Sequence, residues 1–198
     1  IAHIYHYKDS NVLEYELFRN NKLIGYHNYK FENKDNYSIV KSIIKFKIVK
    51  LGVNLYTYEA TSEEKYRENQ LINFSSKTIQ NKKIKNTEII FDEKNKELQV
   101  SGSENTLISP KEYPVGTWWN HEIVQAKAQI SAISGRIIEQ KVTFLGKEQI
   151  NLYGKNYNAL RFNFSSSDKS LPDKKKLNTD VWYDEKTNLW LKAAFDKT

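Results

Sequence analysis

Apolar and polar residues alternate between short turn signals along most of this chain, and this alternation constrains the fold more than any other feature. In residues 12–19, for example, Leu13, Tyr15 and Leu17 alternate with Glu14 and Glu16. A period of two is typical of strands with one buried face. Asn20 and Asn21 follow, and both tolerate the positive φ of a tight hairpin. The pattern therefore predicts an antiparallel hairpin at this point.

The same pattern recurs between short polar connections, which are too short for the crossovers that parallel strands need. The segment 37–50 is long enough that it must twist and curl strongly. A length of 198 residues fits one such domain. We therefore predict an all-β, mainly antiparallel meander in a single domain spanning residues 1–198. The predicted strands are 12–19, 22–32, 37–50, 54–61, 70–78, 84–91, 97–102, 136–145, 148–153, 157–165, 177–183 and 189–195.

Two stretches interrupt the alternation. Residues 103–120 contain Pro110 and Pro114 and end in a double tryptophan, which indicates an irregular loop closing over something apolar. Residues 122–134 carry apolar side chains at roughly helical spacing and are followed by Gly135, a residue type common just after a helix. The second stretch predicts one short helix around residues 122–134.

Composition narrows the chemistry. The formal net charge is +7, but only four of the 31 basic residues are arginine, whereas readers of phosphates and bases rely on arginine. Nucleic-acid binding is therefore disfavoured, and the excess of Lys, Asn and Ile is explained by codon bias of an AT-rich genome. Cys is absent, which excludes disulfides, thiolate chemistry and cysteine-based metal sites. The start at Ile1 suits an exported chain whose signal peptide was removed, or a chain trimmed at its start.

Few residues suggest catalysis or metal binding. His121 and Glu122 follow the double tryptophan and are weak candidates for acid–base work, although neighbours on a strand point to opposite faces. His3 and His6 would need a third ligand to hold a metal. No nucleophile elbow, phosphate loop or dinucleotide glycine motif is present in the sequence. We therefore expect no cofactor and no metal, and we favour a binding protein over an enzyme.

Aromatic residues are the more informative candidates for a site. Tyr56 and Tyr58 alternate on one predicted strand and would line one face of a curved sheet. Arg161 lies in a predicted central strand and is a candidate anchor for a carboxylate or phosphate head group, with pairing to an internal glutamate as the alternative. The same rings would equally fill a packed core. The candidate ligand-binding residues are Tyr56, Tyr58, Tyr66, Trp118, Trp119, Arg161 and Trp182.

Three sequence blocks carry a resemblance to a known family. They are residues 56–66 with Leu71 and 77–78, residues 117–120 running on to Gly135, and residues 181–184 followed by 189–192. Together they resemble DUF6134, a family of exported bacterial proteins related in style to the DUF3108 group. The resemblance implies an exported, periplasmic location and a long curved sheet like a half-open barrel, and it implies no activity or catalytic residue.

The chain departs from the family pattern at three positions. Tyr66 stands where the family usually has tryptophan, and Asn69 and Lys82 stand where turn glycines are common. Asparagine adopts positive φ at modest cost, whereas lysine suits such a turn less well.

These observations support three hypotheses. The first is an exported binding protein for a lipid-like or hydrophobic small molecule, held in the curved sheet with the double-tryptophan loop as a lid. The second is a cofactor-independent enzyme acting on such a molecule in the same pocket, with His121, Glu122 or a tyrosine as proton donor. The third is a periplasmic scaffold or interaction protein that meets an acidic surface, such as an anionic membrane. In that case the contacts would come from Lys41, Lys45, Lys47 and the run Lys174, Lys175 and Lys176.

Overall fold

The computed structural model describes residues 11–103 and 105–195. Within them the chain is almost entirely antiparallel β-sheet, so the predicted fold class is confirmed. The described residues divide into two compact units. The large-sheet unit contains residues up to 111 together with 132–136, and the small-sheet unit contains 112–131 together with the residues from 137 onward. The strands thus form two sheets, one in each unit, where the sequence predicted one meander.

Eight strands form the large sheet, and each lies antiparallel to the next in chain order. The sheet is open, with the first and last of these strands as its edges. The strands are β1 (Val12–Arg19), β2 (Lys22–Lys34), β3 (Tyr37–Lys50), β4 (Val53–Arg67), β5 (Gln70–Gln80), β6 (Lys83–Asp92), β7 (Glu97–Gly102) and β8 (Thr106–Pro110).

The alternation read in the sequence is what gives this sheet its buried face. Val40, Phe74, Ile89 and Val100 are fully buried and lie level with one another across the sheet, with Glu64 between the first two. We call the face that carries these residues the core face. Lysines of β3 lie on the opposite, exposed face, as the alternation predicts.

Five strands form the small sheet, in the order β13-β12-β11-β10-β9. Residues 137–152 form one continuous strand, whereas the sequence predicted two strands that break near Gly146. Leu145 is an extra residue in the ladder, because Phe144 pairs with Phe162 and Gly146 pairs with Arg161. A bulge of this kind bends a strand without ending it. The strands are β9 (Ala128–Ile130), β10 (Ile137–Leu152), β11 (Lys155–Ser166), β12 (Asn178–Asp184) and β13 (Trp190–Ala194).

The helix predicted around residues 122–134 does not form. Residues His121–Gln125 make a 3-10 turn, and β9 follows directly. The buried side-chain amide of Gln140 donates to the carbonyls of Ile123, at 2.9 Å, and Ala126, at 3.0 Å. These bonds occupy carbonyls that a helix would have used for its own ladder. The apolar spacing that suggested a helix serves a turn and a short strand, both of which bury isoleucines.

The loop predicted at residues 103–120 contains a strand, β8. Its residues Leu107 and Ser109 face inward in alternation, but the alternation is too short to stand out beside Pro110. Because β8 is an edge strand and Pro110 is its last residue, the missing N–H of proline removes no bond from the centre of the sheet. The rest of the predicted loop, from Lys111 to Asn120, has no strand.

Candidate functional site

Aromatic rings border the core face of the large sheet at the end where β3 turns into β4. Phe46 pairs with Tyr58 across the two strands, and their rings stack at 5.0 Å. The ring of Tyr56 lies 5.8 Å from that of Phe46. All three side chains are only half-buried. Burial raises the pKa of Tyr58 to about 12, partly offset by its hydrogen bond to Thr78. The predicted site residues Tyr56 and Tyr58 thus share a partly open aromatic surface with Phe46.

Small side chains lie next to this aromatic border. Ser42, Ser62 and Ser76 stand side by side on β3, β4 and β5, and Ala60 pairs with Thr78 one level closer to the rings. We call these five residues the small-residue strip. Ser42 and Ser62 share a hydrogen bond of 2.8 Å, and Ser76 donates to the carbonyl of Ala132 at 2.5 Å. Four of the five are half-buried, and Thr78 is buried. Because these short side chains project less far from the sheet than the neighbouring rings, the strip forms a shallow groove beside the aromatic border.

The far side of the strip is a packed core that includes the predicted site residue Tyr66. Its side chain is 4% exposed, and its hydroxyl donates to Glu64 Oε2 at 2.5 Å. Burial, together with the neighbouring carboxylate, raises the pKa of Tyr66 well above its usual value. Glu64 itself is fully buried. Tyr66 therefore belongs to the interior of the sheet, away from the open rings.

His27 lies on the same face and was not among the residues predicted from the sequence. It pairs with Ile44 on β3, and its ring lies 4.4 Å from that of Tyr29. Burial lowers its pKa from 6.5 to about 4. His27 is therefore neutral at physiological pH. His27, Tyr29 and Phe31 occupy alternate positions of β2. This alternation is the sequence signal that could have identified His27 as a residue of the core face.

A shallow, solvent-open depression of about 440 Å³ lies over β5, β6 and β7, and most of its lining residues belong to the face opposite the strip. It is lined by serines, by other polar residues and by Gly102. This polar depression is distinct from the aromatic surface on β3 and β4. The lining residues are Ser75, Ser76, Asn86, Thr87, Glu88, Ser101, Gly102 and Ser103.

The double tryptophan lies in the small-sheet unit. Trp119 is fully buried, whereas Trp118 is half-buried with its ring 5.1 Å from that of Phe164. The hydroxyl of Tyr183 donates to the carbonyl of Trp118 at 2.9 Å. Trp119 thus has the burial of a core residue, and the backbone at Trp118 is fixed to β12.

Arg161 and Trp182, both predicted site residues, are cross-strand neighbours in the same unit. The guanidinium of Arg161 lies 4.9 Å from the ring centre of Trp182, and Nζ of Lys192 lies 4.7 Å from it. Arg161 also donates to Asp180 through Nε at 3.1 Å and Nη2 at 2.5 Å. The indole N–H of Trp182 donates to Glu148. Arg161 is therefore paired with carboxylates, the alternative that the sequence left open: Asp180 is the nearer partner, and the predicted kind of partner, a glutamate, is present as Glu148 at 3.9 Å.

His121 and Glu122 come together on the 3-10 turn, where strand alternation no longer holds their side chains apart. His121 Nε2 lies 3.6 Å from Glu122 Oε1, and both side chains are half-buried. Asn120 caps the turn, since its side chain accepts from the backbone N–H of Glu122 at 3.3 Å. At 3.6 Å the two groups are close but do not form the direct hydrogen bond that proton exchange between them would need.

Among the described residues, no cluster of three or more His, Cys, Asp or Glu side chains has an arrangement suited to a metal ion. His3 and His6 lie outside the described residues. Within that described part, too, no helix is long and apolar enough to cross a membrane.

Comparison with protein families adds one match. The model of the domain of unknown function DUF6134 matches residues 15–198, which is nearly the whole chain. The chain belongs to the DUF6134 family. The match includes the three blocks that carried the resemblance, and also the aromatic border and the small-residue strip. No curated protein and no solved structure matches this DUF6134 chain.

Proposed function

We propose that this DUF6134 protein is an exported protein that binds a lipid-like or otherwise hydrophobic small molecule along the small-residue strip of its large sheet. The observation that carries the proposal is the half-buried aromatic border of Phe46, Tyr56 and Tyr58 beside a strip of short side chains. Ligand sites for small molecules are commonly apolar surfaces with a few polar groups that orient the ligand.

The strip suits an elongated molecule. Ala60 and Ile44 are direct cross-strand neighbours and offer apolar contact. Ser42 and Ser62 share one hydrogen bond. Each hydroxyl oxygen keeps a further lone pair that can accept a hydrogen bond from the polar head of the ligand and so orient it. The rings of Phe46 and Tyr58 would cover an apolar tail, because aromatic side chains bury large areas when they contact a ligand.

An exported, periplasmic location is part of the proposal. The lack of cysteine suits a chain that travels to an oxidising compartment, where stray thiols would react. The ligand would therefore be sought among the lipids and small hydrophobic molecules of the cell envelope.

The test uses two matched variants of neighbouring residues on β4. Ala60→Phe fills the strip, and Thr61→Phe adds the same ring on the opposite, exposed face. Purified wild-type protein is extracted with organic solvent and the extract analysed by mass spectrometry. Binding of a fluorescent fatty-acid analogue is then titrated for all three proteins. We expect a bound lipid in the wild-type extract, and affinity lowered about tenfold or more by Ala60→Phe but unchanged by Thr61→Phe.

The proposal fails under either of two results. One is an empty extract together with no binding of the fluorescent analogue. The other is equal binding by the wild type and Ala60→Phe, provided that circular dichroism shows the variant to be folded, because the ligand would then lie elsewhere.

A further inference from the structure

Three hairpin turns lie at one end of the large sheet. In a meander, alternate connections fall at the same end, so the β1–β2, β3–β4 and β5–β6 turns share an end with the β7–β8 connection, which is set back at the level of Ser76. Two residues with positive φ close each turn: Asn20 and Asn21, Leu51 and Gly52, and Asn81 and Lys82. We call residues 17–24, 46–57 and 77–86 the three tips.

The middle tip extends beyond the β5–β6 turn, and over its last residues it is not paired with β2. Pairing of β3 with β2 stops at Phe46, and pairing of β4 with β5 stops at Tyr58. Beyond these points the two arms pair only with each other, as far as Lys50 and Val53. Four residues of strand extend about 13 Å at 3.3 Å per residue. The tip is thus a hairpin that pairs with neither neighbouring strand, although β2 itself continues three residues past Gly25, to Lys22.

Large apolar side chains are exposed on all three tips. The most exposed is Leu51, at 96%. Such a concentration at one end of a sheet is the kind of patch that marks a binding surface. The other members are Phe18 at 57%, Leu23 at 59%, Val49 at 47%, Val53 at 61%, Leu55 at 54% and Ile84 at 56%.

Leu51 is an unusual residue for its position. Its φ of 50° lies in the left-handed region, which asparagine and glycine adopt more easily than leucine. At 96% exposure its side chain gains almost nothing from packing within the protein. Local stability would favour asparagine here, so a leucine at this position indicates a contact with something outside the chain.

The charge at this end identifies the partner. The three tips contain eight basic residues and no acidic residue. At the opposite end of the sheet, the matching segments 30–39, 63–73 and 90–99 contain six basic and eight acidic residues. The tips therefore combine exposed apolar side chains with a net positive charge, which is the pairing that favours the surface of an anionic bilayer. A carboxylate beside them, that of Glu59, pairs across the strands with Ile79 and lies 3.2 Å from Lys45. The eight are Arg19, Lys22, Lys47, Lys50, Lys77, Lys82, Lys83 and Lys85.

The lysines predicted earlier for this role have carboxylate partners in several cases. Lys45 lies 3.2 Å from Glu59, and Lys41 lies 3.6 Å from Glu32. Lys176, in the loop after β11, lies 2.8 Å from Asp173. Of the predicted set, Lys47 alone lies within the three tips.

We propose that the three tips dock this protein onto an anionic lipid bilayer, with Leu51 and its apolar neighbours inserted among the lipids and the tip lysines paired with the headgroups. Docking needs no ligand in the small-residue strip, so it stands apart from the proposed function.

The first experiment follows insertion directly. Because the chain has no cysteine, Val53→Cys gives a single site for an environment-sensitive fluorophore. Tyr153→Cys gives the matched control, since Tyr153 is 84% exposed and lies in a turn of the same geometry, followed by Gly154, in the small-sheet unit. Vesicles containing equal parts of phosphatidylcholine and phosphatidylglycerol should shift the emission of the Val53 label to the blue and leave the Tyr153 label unchanged.

The second experiment uses unlabelled protein and sedimentation with the same vesicles. Leu51→Asn should weaken binding about tenfold while preserving the fold, because asparagine suits the turn. The matched Tyr153→Asn should bind as the wild type does. The double variant Lys47→Gln and Lys50→Gln should also bind more weakly. Raising the salt from about 0.1 M to about 1 M shortens the screening length from about 10 Å to about 3 Å and should weaken wild-type binding.

Three results would overturn the proposal. The first is no sedimentation with anionic vesicles, and the second is equal binding by the wild type and Leu51→Asn. The third is a dimer in analytical ultracentrifugation that Leu51→Asn abolishes, because the tips would then bind a second copy of the chain.

Discussion

At the scale of single residues, the core face of the large sheet contains ionisable groups where a sheet of this kind would ordinarily be apolar. Glu64 is fully buried, and its cross-strand neighbours are Val40 and Phe74. Burial of a carboxylate is costly unless it accepts hydrogen bonds. Tyr66 supplies one such bond, so the two side chains hold each other in place between the small-residue strip and the end of β4.

His27 gives this face a measurable dependence on pH. Its pKa is about 4 in the folded protein, against 6.5 for an unperturbed histidine, so the unfolded chain binds more protons between these values. Folding stability should therefore be fully present above pH 6.5 and fall as the pH is lowered toward 4. The loss attributable to His27 should reach up to about 3 kcal/mol.

The measurement is urea unfolding of the wild type and His27→Gln between pH 7 and pH 4, followed by tryptophan fluorescence. Carboxylates titrate in both proteins and cancel in the comparison. We expect the stability of the wild type relative to His27→Gln to decrease as the pH falls. A difference that stays constant over this range would show that His27 titrates normally in the folded protein.

At the scale of elements, tight turns set the register of the sheets. In the described part of the chain, five hairpins are closed by two consecutive residues with positive φ, the geometry whose twist matches that of the strands. Besides the three tips, these are the turns at Glu68 and Asn69 and at Tyr153 and Gly154. Only two of the five have glycine at the second position, so the other three bear a conformational cost that a glycine would relieve.

Lys82 allows that cost to be measured. Its φ is 72°, so Lys82→Gly creates an Asn-Gly turn and should stabilise the protein by about 0.5–1 kcal/mol. Lys83 is the first residue of β6, and Lys83→Gly should destabilise the protein by a similar amount because glycine weakens a strand. Both variants remove one lysine from the same tip, so charge is matched. Equal stabilities in urea unfolding would contradict this account of the turn.

Local pattern was sufficient to predict most strands, since β1, β3 and β7 begin and end where the alternation does. It failed where a distant side chain decides the structure. The turn at residues 121–125 depends on Gln140, a residue from β10 that no local window includes. The bulge that carries β10 through Gly146 depends on its pairing with β11.

The candidate site was predictable to a similar extent. The alternation of residues along a strand predicted that Tyr56 and Tyr58 share one face of the sheet. Their contact with Phe46 could not be predicted in this way, because it depends on the register between β3 and β4. The small-residue strip gave no signal in the sequence, because serine, alanine and threonine are common in exposed strands. The unpaired end of the middle tip was equally hidden, since it depends on where the pairing with β2 and β5 stops.

At the scale of the whole molecule, the chain path interleaves the two units. Residues 132–136 belong to the large-sheet unit, yet β9 and β10 on either side of them belong to the small-sheet unit. Within the large-sheet unit, this segment lies against β5 and β7. Ser76 donates to the carbonyl of Ala132, and a Cβ atom added at Gly102 would lie 2.1 Å from the carbonyl oxygen of Ser134.

This interleaving should make the two units unfold together. If β9 and β10 separate, the segment 132–136 loses the strands that hold it at both ends, and the large-sheet unit loses the residues packed on β5 and β7. We therefore expect one calorimetric transition, with equal calorimetric and van't Hoff enthalpies.

Gly102→Ala, which pushes against Ser134, should lower the midpoint of that whole transition by several degrees, reflecting about 1–3 kcal/mol of destabilisation. Ser101→Ala, at the neighbouring exposed position, should leave the midpoint unchanged. Two resolved transitions, only one of which moves in Gly102→Ala, would show that the units are independent domains and that the single domain predicted from the sequence is wrong.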